Sequence, residues 1–160
     1  MIAVLADTHM PKGSRALPAR CVELVSAAEA TIHAGDFSEA SVLFELEALC
    51  PVLHAVHGNV DEPYLRERLP EAAEVALGGA TVALLHDAGP AKGRLARLQA
   101  RFPAADAVVF GHSHMPLHEA EAGFQIFNPG SPTERRRAPR PSMGVLESAG
   151  GELRFEHVWL

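Results

Sequence analysis

Short apolar runs that stop at polar residues organise the first half of the chain. Met1 to Ala6 is such a run and ends at Asp7; Thr31 to Ala34 and Val52 to Val56 have the same form. Continuous apolar runs of this length suit strands buried on both faces. Between them the period changes. Leu17, Cys21, Leu24, Val25 and Ala28 recur at spacings of three and four, as do Val42, Leu43, Leu46 and Leu49. Such stripes predict helices, so the first half reads β-α-β-α-β, a parallel sheet with crossover helices.

Past residue 70 the pattern turns toward hairpins. Ala73 to Leu77 and Ala80 to Leu85 flank Gly78-Gly79, a pair that reads as a tight turn. A helix is expected from about Ala91 to Phe102, then a strand at Ala107 to Phe110. Leu117 to Glu121, Phe124 to Asn128, Met143 to Glu147 and Leu153 to Trp159 are expected as further, mostly antiparallel strands, separated by Gly123 and by Gly150-Gly151. No flexible linker or repeat interrupts the sequence, and its 160 residues fit one domain, 1–160, of mixed α/β class.

Composition narrows the function. Apolar residues make up 48% and charged residues 21%, the proportions of a globular protein, and no apolar stretch is long enough to span a bilayer. The apolar opening is too short for a signal-peptide core, so a cytoplasmic location is expected and no membrane partner. A net charge of −6 argues against a broad nucleic-acid surface. Cys21 and Cys50 fall in helical patterns without a CxxC pair and read as buried small side chains.

The chemistry lies just after the strands, where open α/β sheets bind ligands. Asp7-Thr8-His9 follows the first, Gly35-Asp36 the second and Gly58-Asn59-Val60-Asp61 the third; His86 ends a later strand and Gly111-His112-Ser113-His114 follows another. Imidazole nitrogens with carboxylate and amide oxygens suit manganese, iron, zinc or nickel better than an all-oxygen magnesium or calcium site. Seven such groups exceed what one tetrahedral ion uses, whereas two ions sharing a carboxylate would use them all.

From Asp7 to Ser131 the order of these pieces resembles the calcineurin-like metallophosphoesterase superfamily, within it the small bacterial and archaeal phosphodiesterase branch. The resemblance implies a four-layer α/β/β/α sandwich, two packed mixed β-sheets flanked by helices. It also implies two divalent ions, manganese foremost. Asp7, His9, Asp36 and His114 would hold the first ion; Asp36, Asn59, His86 and His112 would hold the second, with Asp36 as the catalytic bridge. Asn59 would also orient the substrate. A hydroxide between the ions would attack a phosphate ester, a diester in preference to a monoester. The substrate would be a small-molecule or nucleotide ester; a homo-oligomer is left open. Asn128-Pro129-Gly130-Ser131 resembles a segment of the same branch, expected to support the His112-x-His114 turn.

The pattern departs from the superfamily in two places. Val60 stands where many members carry a histidine, which leaves Asp61 and His57 as candidates for a general acid. His86-Asp87-Ala88 stands where relatives read His-Gly-His. His33 is expected to be a buried residue that orients the Asp36 loop, and an arginine of the run Arg135, Arg136, Arg137 and Arg140 is a candidate for binding phosphate. The competing reading is a metal-binding protein-interaction scaffold of the same fold with little or no catalysis, like the retromer subunit that resembles this branch.

Overall fold

The computed structural model describes residues 1–50 and 52–160. Strands β1 (Ile2–Leu5), β2 (Ala30–His33) and β3 (Leu53–Ala55) are parallel and alternate with helices α1 (Ala19–Ala27) and α2 (Ala40–Leu49). The apolar runs explain the strands and the three-four stripes explain the helices, although Leu17 and Ala28 lie just outside α1. Helix α3 (Pro63–Arg68) follows, then the hairpin β4 (Ala72–Leu77) and β5 (Ala80–Leu85), turning at Gly78-Gly79. Helix α4 (Arg94–Arg101) is shorter than expected because Gly93, at φ 67°, caps it in a left-handed conformation that ends helical continuity. Strands β6 (Ala107–Val109), β7 (Leu117–Glu121), β8 (Phe124–Asn128), β9 (Ser142–Ala149) and β10 (Glu152–Trp159) complete the chain.

These strands form two five-stranded mixed sheets, ordered β10-β9-β1-β2-β3 and β4-β5-β6-β8-β7. Alternation along each strand builds the layers. Ile2, Val4, Ala30 and Ile32 point from the first sheet toward Val82, Leu84, Ala107 and Val109 of the second, which gives the central core. The opposite faces of β1, through Ala3 and Leu5, meet Cys21, Val25, Val42 and Leu46 of α1 and α2. Ala83, Leu85 and Val108 meet Leu98 of α4 and Phe102 beyond its end. The result is an α/β/β/α sandwich. Both cysteines are buried and unbridged. Among the described residues no helix is long and apolar enough to cross a membrane.

Sheet pairing places the ends of β1, β2, β3, β5 and β6 along one rim. Within the first sheet β1, β2 and β3 run parallel, and within the second β5 runs parallel to β6. Every loop that carries a chemically interesting residue therefore leaves its sheet on the same side.

Candidate metal centre

At this rim the backbone turns sharply. Asp7, His9, Asp36, His112 and His114 all have positive φ, between 44° and 68°. Few non-glycine residues adopt this region, and Asp and His are among those that tolerate it. Each such residue costs on the order of 1–3 kcal/mol unless its surroundings hold it there. The holding bonds are visible. The Asp7 N–H donates to the Gly35 carbonyl at 3.0 Å, the His9 N–H to Asp36 O at 3.0 Å and the Met10 N–H to Phe37 O at 2.9 Å, so the loops after β1 and β2 pair with each other. The Ser131 hydroxyl donates to Asp7 O and the Thr133 hydroxyl to Thr8 O, both at 2.7 Å.

Buried polar groups beneath the rim brace it further. Asp61 accepts N–H bonds from Asp36 (3.1 Å), Gly58 (2.7 Å) and Ser38 (2.8 Å), which locks the β2 loop to the β3 loop. Both its oxygens are thus occupied by backbone, so this carboxylate, a general-acid candidate by sequence, acts as a bracket. His57 lies at the pocket wall with Nδ1 3.3 Å from its neighbour's carbonyl, Gly58 O. His33 accepts from the Gly35 N–H through Nδ1, leaving Nε2–H to donate to Thr8 Oγ1, both at 3.2 Å. Burial pushes its pKa down to about 3, so it stays neutral as that geometry requires. Asn128 donates to Gly111 O at 2.8 Å and to Ser113 Oγ at 3.2 Å, and so supports the His112-x-His114 turn.

The structure brings together all seven residues singled out by sequence. Asp7, His9 and His114 form one group whose potential ligand atoms lie within 4.8 Å of one another, and Asp36, His86 and His112 form a second. Asp36 stands between them, its Oδ2 3.5 Å from His9 Nε2 and 3.2 Å from His86 Nε2. Asn59 Oδ1 joins the second group, 3.1 Å from His86 Nε2 and 3.0 Å from His112 Nδ1. The loops that carry these residues come from both sheets: Asp7, His9, Asp36 and Asn59 from the first, His86, His112 and His114 from the second.

The donor chemistry fits cations. His114 Nδ1 donates to Glu134 O at 3.2 Å and His86 Nδ1 to Ala34 O at 2.8 Å. In their neutral forms both rings therefore turn the Nε2 lone pair inward, the arrangement usual for metal-binding histidines. His114 Nε2 meets His9 Nε2 at 3.0 Å, while His86 Nε2 meets the Asp36 and Asn59 oxygens. Asp7 Oδ2 is buried without a hydrogen-bond partner. A cluster of lone pairs with an orphaned carboxylate oxygen is costly without positive charge at its centre.

Proton affinities carry the same mark. Burial raises the Asp7 carboxyl to about 7, against the opposing pull of His86. Burial would raise Asp36 too, but the hydrogen bond and charge of His86, the Val60 N–H and His9 outweigh it and hold Asp36 near 2. Burial lowers His86, yet the Asp36 bond and the Asp36 and Asp7 charges prevail and raise it. Burial depresses His9, and depresses His114 to about 4.

Beside His86 and Asn59 lies a pocket of about 260 Å³, walled by His57, Arg66, Glu71, Leu85, Asp87 and Arg101. Arg66 donates to the carbonyls of Asn59 and Asp61, fixing the loop that presents Asn59. Sequence reasoning gave Arg66 and Glu134 no part, because each acts through backbone or a neighbouring ring and belongs to no recognisable motif.

This fold and rim belong to a family of metal-dependent phosphoesterases. The calcineurin-like phosphoesterase superfamily domain matches residues 1–151, and the chain belongs to that superfamily. It is 32% identical to a probable metallophosphoesterase of Methanothermobacter thermautotrophicus, over 99% of this chain and 91% of the relative. Among solved structures, Vps29 of Entamoeba histolytica in complex with zinc superposes with a TM-score of 0.78 at 23% identity, covering 99% of this chain and 98% of the other. A protein described as a novel archaeal phosphodiesterase superposes with a TM-score of 0.73 at 20% identity, covering 98% and 99%. Both likenesses are likenesses of fold.

Proposed function

We propose that this chain is a single-domain phosphoesterase with a dinuclear metal site, acting on diesters in preference to monoesters. The observation that carries the reading is the convergence of seven metal-competent side chains from five strand ends, with Asp36 between two groups and ring lone pairs facing inward. Asp7, His9, Asp36 and His114 would hold one divalent ion; Asp36, Asn59, His86 and His112 would hold the other. Manganese is the leading candidate, and zinc, iron and nickel suit the same donors. When bound, two such ions supply hydroxide at neutral pH and positive charge for the phosphoryl oxygens.

The protein's own groups do the rest. His86 and His114 are fixed in orientation by the Ala34 and Glu134 carbonyls, so their lone pairs need no rearrangement to bind. Asn59 keeps its amide N–H groups for a phosphoryl oxygen while its Oδ1 faces His86 and His112. The adjoining pocket, with Leu85 in its wall and charges of both signs, receives the organic part of the ester. The pocket suits the organic group of either ester class, and the preference for a diester draws on the fold shared with a protein described as an archaeal phosphodiesterase.

Asp36→Asn should reduce hydrolysis of an activated diester, assayed with manganese, to background while leaving the far-ultraviolet circular dichroism unchanged. Full activity in that variant would sink the two-metal mechanism. The scaffold reading draws on exposed Phe44 and Tyr64, stacked edge to face at 6.1 Å on neighbouring helices. It is favoured if the manganese-loaded protein hydrolyses no diester, monoester or cyclic nucleotide in a broad screen.

A further inference from the structure

The arginine run at 135–140 separates into distinct parts in the structure. Arg135 donates to Ala138 O at 3.1 Å and Arg140 to Leu160 O at 3.2 Å, so both tie the loop to its surroundings. Arg136 points elsewhere. Its Nη1 approaches the carbonyl of His112 at 3.5 Å, on the turn that presents His112 and His114. Its backbone, at φ 45°, occupies the left-handed region that a side chain rarely adopts.

The neighbouring acid does not neutralise it. Glu134 is engaged by Arg15 at 3.2 Å and lies 3.7 Å from His114 Nδ1. Among the described residues Arg136 has no carboxylate within ion-pair distance. It is exposed, with most of its N–H donors free. The carbonyl it approaches belongs to the turn that carries His112 and His114, one from each candidate group, so the guanidinium lies beside the site. An exposed guanidinium without a carboxylate partner, beside the turn that presents two candidate ligands, is placed for an incoming anion and not for the protein's own carboxylates.

We propose that Arg136 is a phosphate-binding residue of this site, donating to a non-bridging phosphoryl oxygen above the Asp7-His9-His114 group, while Arg15 keeps Glu134 from competing for it. The ligand class is a phosphate ester or inorganic phosphate. The proposal rests on the phosphoesterase reading for its substrate but not for its binding event, so the two can fail separately.

Inorganic phosphate is titrated calorimetrically into the manganese-loaded full chain, and KM, kcat and phosphate inhibition are measured on an activated diester. Wild type, Arg136→Ala, Arg136→Lys and Arg137→Ala are compared, with metal content per chain determined for each. Arg136→Ala should weaken phosphate binding and raise KM about tenfold or more, with metal content unchanged; a charged hydrogen bond is of that size. Arg136→Lys should recover part of the loss, since it keeps the charge without the fork, and Arg137→Ala should stay within about twofold of wild type. Phosphate binding unchanged in Arg136→Ala overturns the proposal, and so does loss of metal in that variant, which would make Arg136 a support of the turn. A wild type that binds phosphate through Arg136 without hydrolysing any ester leaves this site standing and removes the enzymatic reading. A wild type that binds no phosphate removes the site.

Discussion

Asp7 makes the sharpest demand of any single residue. Its Oδ1 accepts the His112 N–H at 3.1 Å, while Oδ2 is enclosed without a partner and burial holds the carboxyl near 7. A metal binds the carboxylate and not the acid, so below pH 7 metal uptake must displace a proton. His86, whose proton affinity is raised by Asp36 and Asp7 against the effect of burial, acts in the same direction. Manganese affinity should therefore fall as pH drops below about 7, by up to about tenfold per unit for each proton displaced. Calorimetry in buffers of different ionisation heat should find greater proton release at pH 6 than at pH 8. Affinity and proton release independent of pH across that range would contradict a proton held on Asp7 near neutral pH.

The elements decide which of these residues can meet. Gly58 shows how little slack exists between them. A Cβ built there would collide with Oδ1 and N of Asp36, so the β3 loop passes the β2 loop with no room for a methyl group. Gly58→Ala must push Asp36 from its place and break the Asp61 bracket, which accepts from both loops. It should cost about 2–4 kcal/mol of stability, the scale of overpacking plus a disrupted charged hydrogen bond, and lower metal content per chain. Thermal melts and metal analysis check both; a wild-type melt with full metal occupancy contradicts the close packing.

Much at this scale was legible in the sequence. The buried strands read as apolar runs because both their faces are covered, and Gly78-Gly79 marked its hairpin because a tight turn needs positive φ. The polar strand ends were conspicuous against those runs. Helix α3 was not, because six residues are too few to show a period and only Leu65 of them is buried. The role of Asp61 was also hidden. Accepting three backbone N–H groups from two separate loops leaves no local pattern, and the same residue type beside Asn59 reads equally well as an acid. Strand β3 reads as buried on both faces but lies at a sheet edge and is only half-buried, a fact of sheet order that its own composition does not carry.

For the whole molecule, a net charge of −6 and an anionic substrate are compatible only if positive charge is concentrated locally. Bound divalent ions with Arg136 beside them would provide that concentration at the rim. Ligand binding to the folded state alone also stabilises it by mass action, about 2.7 kcal/mol when free metal is a hundred times its dissociation constant. For a chain of this size that corresponds to a rise of roughly 5–10 °C in Tm. Manganese should produce such a rise and a chelator should reverse it. No shift at saturating metal would contradict a site built into the native fold.

The division of candidate ligands between the sheets has a mechanical consequence. The two sheets meet across a seam filled by side chains such as Phe127, stacked 4.7 Å from Phe155 and 4.4 Å from His157, with Gly144 leaving space for its ring. Hydrogen bonds also cross the seam, from Gln125 to Leu153 O at 3.0 Å and from Ser148 to Leu77 O at 2.6 Å. Ions gripped from both sides would act as rivets through the seam at one end, adding to the bonds and packing that already join the layers. Metal loading should then slow hydrogen exchange in both sheets together, including strands far from the rim.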